Sequence, residues 1–217
     1  MKTSVLIPTR LRPDGFKVLY DSIIRTATGE IEILVGADKD DPTEYGVPCI
    51  RYDNLGSSEK VCELAKLATG DMMLMGSTDE EFITKGWDSL LYSKFPADKL
   101  AVLTTKDSPD EHRGSRRPVV SKEWYAVAGF YPKHFWHFYG DTWVVDIAQR
   151  VSKYRLVYVG DVVIEHLKKS RSGYKRDDLY ARRGKSRKDI WEKTEKERQQ
   201  LADKIKELCA LTPVAPQ

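Results

Sequence analysis

The chain has 217 residues, 41% of them hydrophobic and 32% charged, with a formal net charge of +3 and a mean hydropathy of −0.51. This is enough apolar material for one full core, whereas two independent domains would each be small. No apolar run approaches the roughly 20 residues that cross a bilayer, so the expectation is a soluble protein.

Taken in order, Ser4-Val5-Leu6-Ile7-Pro8 reads as a fully buried strand ended by proline, followed by Phe16, Leu19, Ile23 and Ile24 at helical spacing, with Gly29 as the stop. Ile31 to Val35 is a second β-run, leaving through the polar stretch Gly36 to Pro42, and Cys49 to Tyr52 is a weaker strand. Ser57 or Ser58 suits the cap of a helix bearing Val61, Leu64, Ala65 and Ala68, closed by Gly70. Met72 to Met75 forms the next strand, with Asp79-Glu80-Glu81 close behind it; a helix over 86–95 and a strand over 100–103 follow.

The second half is less regular. Residues 104–117 read as a polar loop, Lys122 to Phe138 is dense in aromatics, and Gly140-Asp141 opens a helix bearing Trp143, Val144, Ile147, Ala148 and Val151. Two short strands, 156–159 and 162–164, precede Glu165-His166, and one long charged helix is expected from Ser186 to Leu208, with Ile190, Leu201, Ile205 and Leu208 on its apolar stripe. The basic residues are unevenly spread: Lys168 to Lys188 holds ten Lys or Arg against two Asp, a pattern of either a solvated face or a polyanion site. Cys49, Cys62 and Cys209 fit neither a disulfide framework nor a zinc knuckle. With no signal-peptide features after Met1, reduced thiols and a cytoplasmic location are expected.

The β-α-β-α-β order calls for a mostly parallel α/β sheet with helices on both faces. Ligands of such sheets bind beyond the carboxyl ends of the strands. Thr9-Arg10, Asp38 to Asp41 and Ser77 to Glu81 each follow a strand, so the three polar clusters should meet along one edge.

In order and interval, several segments resemble the family-2-like GT-A glycosyltransferases. Val5 to Arg10 resembles their opening strand, and Gly70 to Glu80 the strand that runs into the D-x-D metal motif, with Ser77-Thr78-Asp79 in its place. Gly140-Asp141 resembles the acidic site of the catalytic base, and Glu165-His166 the third metal-ligand position. The resemblance implies a GT-A domain over residues 1–170, with residues 171–217 as a basic helical C-terminal extension packed on it. It also implies a metal-dependent, inverting transfer of a sugar from a nucleotide-diphosphate sugar, a UDP-sugar first. Asp141 would be the base, and Pro8, Thr9, Arg10, Asp38, Ser77, Thr78 and Asp79 the donor site, with Asp38 against the nucleobase. Asp79 and His166 would hold Mn2+ or Mg2+, a carboxylate and an imidazole suiting these ions. On spacing alone, Asp79 fits a turn carboxylate and Asp141 a helix N-cap equally well.

For the acceptor, the basic tract beside the site suits a polyanion, and the chain's small size resembles the glycosyltransferases of bacteriophages. This directs the expectation to hydroxymethylated pyrimidine in phage DNA, with Trp124, Trp143, Lys175 and Arg176 as acceptor contacts and Trp136 a further stacking candidate. Alternatives are a surface glycan or lipid-linked acceptor, or a non-catalytic nucleic-acid-binding α/β protein. A sugar nucleotidyltransferase is disfavoured because no glycine follows the first strand until Gly15, and a P-loop enzyme because G-x-x-x-x-G-K-[ST] is missing.

Overall fold

The computed structural model describes residues 1–107, 114–167 and 188–211. Lys175 and Arg176, with the rest of 168–187, and residues 108–113 lie outside them. Eight strands form one sheet in the order β3-β2-β1-β4-β7-β6-β8-β5. They are β1 (Lys2–Pro8), β2 (Glu30–Asp38), β3 (Cys49–Tyr52), β4 (Met72–Met75), β5 (Glu80–Phe82), β6 (Val102–Lys106), β7 (Gly114–Ser121) and β8 (Leu156–His166). β7 runs against β4 and β6, and β5 against β8; the other neighbours are parallel.

Strand periodicity divides the core in two. In β1, Val5 and Ile7 face one layer with Phe16, Leu19 and Ile23 of α1 (Pro13–Thr26) and Trp87 and Leu91 of α3 (Trp87–Ser93). Leu6, between them, faces the other layer with Val61 and Leu64 of α2 (Ser57–Ala65). That second layer also takes Trp124 of α4 (Lys122–Ala128) and Trp143, Val144 and Ile147 of α5 (Gly140–Val151). All three β1 side chains are fully buried, as a central parallel strand covered on both faces must be.

Four expectations about the elements need correction. The run 104–117 is not all loop, because β6 continues to Lys106 and β7 begins at Gly114. The two short strands after α5 are one strand, β8. Its first half pairs with β6 and its last residues with β5, and Gly160-Asp161, which resembles a turn, lies within it. β5 itself is an acidic segment that becomes a strand because Phe82 buries fully and the chain pairs with residues 164–166. The final helix is two, α6 (Lys188–Lys193) and α7 (Glu195–Leu211), broken at Thr194, and Leu208 of its expected stripe is exposed.

The last helix belongs to the second layer. Ala202 and Ile205 are fully buried there, and Arg198, only 2% exposed at its side chain, pins α7 to α5. Its Nε donates to Asp146 Oδ2 at 2.7 Å, and its Nη1 donates to the Trp191 carbonyl at 2.8 Å and to Thr194 Oγ1 at 2.9 Å. The guanidinium lies 3.6 Å from the Trp191 ring centroid, a desolvated cation–π contact. At the opposite end of the sheet, Glu32 of β2 accepts from Ser4 Oγ at 2.5 Å, Thr69 N at 2.8 Å and Thr69 Oγ1 at 2.6 Å. Burial works against its charge, but these bonds and Lys2 outweigh it and hold the carboxyl down at about 2.

Two stability predictions follow from these contacts. Arg198→Met should cost about 2–3 kcal/mol in urea unfolding, because it strands Asp146 and removes the ring contact; Arg150, which also bonds Asp146, limits the loss. Glu32→Gln should cost about 1–2 kcal/mol at pH 7. A depressed carboxyl stabilises the fold above its unfolded value of 4.5 and loses that contribution as pH falls through about 2. The difference in urea midpoint between the two proteins should therefore be full above pH 5 and vanish near pH 2.

Candidate active site

The carboxyl ends of β1 and β4 open into a cleft of about 360 Å3, where a mostly parallel sheet offers a ligand site. Pro8, Thr9, Arg10, Leu55, Gly56 and Lys60 line it around the end of β1 and the start of α2, Ser77 to Glu80, Arg117 and His166 around β5 and β8, and Asp141 lines it as well. Six of the expected site residues outside the aromatic set, Pro8, Thr9, Arg10, Ser77, Thr78 and Asp79, therefore share one cavity with Asp141 and His166, whereas Asp38 does not line it. The Asp38 side chain is 7% exposed, with Oδ1 2.5 Å from Lys60 Nζ and Oδ2 2.9 Å from Arg10 Nη1. Both oxygens of Asp38, expected against the nucleobase, thus lie beside a cation. Arg10 is also paired with Asp40, and Asp41 accepts from Leu11 N at 2.9 Å and Tyr45 Oη at 2.6 Å, fixing the chain as it leaves β1.

The β5–β8 pairing sets Glu80 opposite His166, which brings Asp79 to the imidazole. His166 Nε2 lies 2.8 Å from Asp79 Oδ2, and Ser77 Oγ hydrogen-bonds Asp79 Oδ1. Burial raises the Asp79 carboxyl, but His166 and Ser77 outweigh it and hold it below the usual range. The bond to Asp79 in turn raises His166 above its ordinary value. Glu80 points inward, where Arg117 Nε donates to its Oε1 at 2.5 Å. Burial drives the Glu80 carboxyl up to about 7 against the pull of Arg117. Arg117 Nη1 also donates to Asp107 Oδ1 at 2.6 Å and to the Ile164 carbonyl at 3.3 Å. Glu81 pairs with Arg25 at 3.0 Å. With both glutamates engaged, Asp79 and His166 remain as an adjacent carboxylate and imidazole of metal-binding type. Among the described residues no group of three or more His, Cys, Asp or Glu side chains converges as a metal cluster.

Asp141 stands in the first turn of α5, entered through Tyr139 at φ 72°, a left-handed conformation costly for a bulky residue. Beside it Tyr131, Trp136, His137 and Phe138 line the cleft, Phe138 being 50% exposed. This loop is built against α2. Ser58 N donates to the Trp136 carbonyl at 3.3 Å, Ser58 Oγ to the His137 carbonyl at 3.1 Å, and Ser57 Oγ lies 2.6 Å from His137 Nδ1. Trp124 and Trp143, expected as a stacking surface, are instead buried in the second layer with 0% and 1% exposure. Their helical spacing beside Val144 and Ile147 carries the core, not the cleft. Sequence reasoning named Trp136, which does line the cleft, and missed Lys60, Leu55, Gly56, His137 and Phe138. Lys60 lies four residues before the buried Leu64, so a charge on the apolar stripe was the one available signal.

No protein-family model matches this chain, and no curated protein matches it in sequence. Solved structures do. S. aureus TarS in complex with UDP-GlcNAc superposes at a TM-score of 0.65 with 14% identity, over 88% of this chain and 64% of that one. The mannosyltransferase PcManGT from Pyrobaculum calidifontis, in complex with GDP-Man and Mn2+, gives 0.64 with 11% identity over 99% and 76%. GalNAc-T7 with UDP, GalNAc and Mn2+ gives 0.61 with 13% identity over 77% and 44%. The fold is that of the GT-A glycosyltransferases. The chain spans 38% to 64% of the length of the TarS chains it matches.

A β-carbon on Gly56 would sit 1.7 Å from the Trp136 carbonyl oxygen. Gly56→Ala should therefore push the 136–138 loop off α2, costing about 1–3 kcal/mol and shifting tryptophan emission as Trp136 moves; an unchanged emission spectrum and urea midpoint would contradict this packing.

Proposed function

We propose that this protein is a metal-dependent glycosyltransferase that moves a sugar from a nucleotide-diphosphate donor, a UDP-sugar first, to a hydroxyl acceptor. The observation that carries the reading is the shared cleft: the Asp79–His166 pair and Asp141 face one cavity at the carboxyl end of a GT-A sheet. The nucleotide-sugar complexes of structurally similar proteins support it, as does the Mn2+ held by two of them.

Asp79 and His166 are the residues that would hold Mn2+ or Mg2+, a cation taking the place of the proton they share. Such an ion acts as a Lewis acid for a leaving diphosphate. Asp141, which lines the same cavity, takes the proton of the acceptor hydroxyl as its oxygen attacks the anomeric carbon. A single displacement inverts that carbon. Thr9, Arg10, Ser77 and Thr78 line the same cavity and would contact the donor phosphates and sugar, and Trp136 and Phe138 would offer ring faces for stacking. The composition of residues 168–188 favours a polyanionic acceptor, and hydroxymethylated pyrimidine in phage DNA is the acceptor we put first. A surface glycan is the competing one. None of the described helices is long and apolar enough to cross a membrane.

Nucleotide release from UDP-, GDP- and CDP-sugars, with Mn2+, should be stimulated by hydroxymethylated DNA and not by unmodified DNA; stimulation by simple glycosides alone would move the acceptor to the glycan class. Asp141→Asn should lower kcat by about 10^2–10^4-fold with donor affinity unchanged in calorimetry. Asp79→Ala should weaken Mn2+-dependent donor binding instead. Equal loss of binding in both variants would count against these roles.

A further inference from the structure

We propose that Trp191 of α6 is a positioning residue: its ring holds Tyr139 in the left-handed conformation from which α5 starts, and so keeps Asp141 at the cleft. This role rests on the transferase reading, with Asp141 as the base, and adds what holds that base in place. Tyr139 precedes α5 with φ 72°. A residue with a β-carbon is disfavoured there by about fivefold to thirtyfold, whereas glycine is not. The next residue leaves the chain little room to adjust: a β-carbon on Gly140 would lie 2.5 Å from the Tyr131 ring and 2.9 Å from Ser58 Oγ. The Tyr139 carbonyl then accepts from Trp143 N at 2.8 Å, closing the helical turn that carries Asp141. Moving Tyr139 out of the left-handed region opens that turn and displaces Asp141.

What holds Tyr139 is aromatic. Its ring centroid lies 5.7 Å from that of Phe135 and 5.7 Å from that of Trp191, and those two are 6.3 Å apart. Phe135 is fully buried in the second layer. Trp191 is fixed in turn by Arg198, whose guanidinium lies 3.6 Å from its ring centroid and whose Nη1 donates to its carbonyl. Arg198 Nε reaches Asp146 on α5 itself. The contacts therefore run in a circuit, from α5 through Arg198 and Trp191 to the residue that begins α5. An aromatic pair is worth about twofold to tenfold in an equilibrium, comparable to the bias against a left-handed tyrosine, so loss of one ring is enough to shift the turn. Neither Tyr139 nor Trp191 lines the cleft, so Trp191 acts on the reaction through the placement of Asp141.

The test is steady-state release of nucleotide from the UDP-, GDP- or CDP-sugar that the native chain turns over, with calorimetric binding of the matching nucleotide diphosphate and Mn2+ alongside. The variants are Trp191→Ala, Trp191→Phe, Tyr139→Gly and the double variant Y139G/W191A; Trp191→Leu, which keeps apolar volume without a ring, stands in if Trp191→Ala does not fold. Trp191→Ala should lower kcat about tenfold with nucleotide affinity unchanged, and Trp191→Phe, which keeps a ring, should retain most of the native kcat. In the Tyr139→Gly background the same loss of Trp191 should cost about twofold or less, because glycine needs no ring to hold it left-handed. A native kcat in Trp191→Ala, an equal loss of kcat and nucleotide affinity, or a loss that persists undiminished with Tyr139→Gly overturns the role and leaves the transferase reading standing. If the native chain turns over none of these nucleotide-sugars, that reading fails and takes the role of Trp191 with it.

Discussion

One guanidinium holds the reactive end of this molecule together. Arg117 enters from β7 and bonds Glu80 at the start of β5, Asp107 just after β6 and the Ile164 carbonyl in β8. These three strands come from distant parts of the chain, and their backbone pairing is short: β5 and β8 share three residue pairs. A buried cation with two carboxylates is a costly arrangement unless its bonds are met, and here the geometry of the site depends on meeting them. Asp79 lies one residue before Glu80, and His166 two after Ile164. Fixing the second member of each pair fixes the first, so the carboxylate and the imidazole at the cleft wall are positioned from beneath.

The wall of the cleft around β1 and α2 is built on the same logic with different partners. Asp38, Arg10, Asp40 and Lys60 alternate in sign across three segments: the end of β1, the end of β2 and the first turns of α2. The aromatic loop at the mouth is held by neutral hydrogen bonds and by the absence of a side chain at Gly56. Of these contacts the Lys60–Asp38 pair is the most shielded from water, where a polar contact counts for more than on a surface.

Much of the fold could be read from residue patterns, and less of the site. β1, α1, β2, α2, β4 and α5 are local objects, each announced by an apolar run or stripe with its own cap or stop, and their alternation implies the parallel sheet. Asp79 could be assigned to the ligand edge because it follows such an element, whereas Asp141 and His166 were pointed to by the resemblance. What could not be read depends on partners far away in sequence. β5 exists only because β8 pairs with it. Glu80 looks like a ligand in sequence and is a structural anion only because Arg117 arrives from β7. Asp38 looks exposed after its strand, yet a lysine from α2 covers it. Trp143 belongs to a helix whose inner face was legible, while the helix of Trp124 was hidden in a run read only as dense in aromatics.

The placement of α7 has a consequence for how the protein is made. The face of the sheet that carries α2, α4 and α5 is sealed by Ala202, Ile205 and Arg198, which leave the ribosome after every strand has been synthesised. The opposite face needs only α1, α3 and the strands. During translation, therefore, one side of the sheet can pack while the other still exposes Leu6, Val61 and Trp143 to solvent. The nascent chain passes through a half-covered state, and that uncovered layer is the surface a chaperone would meet.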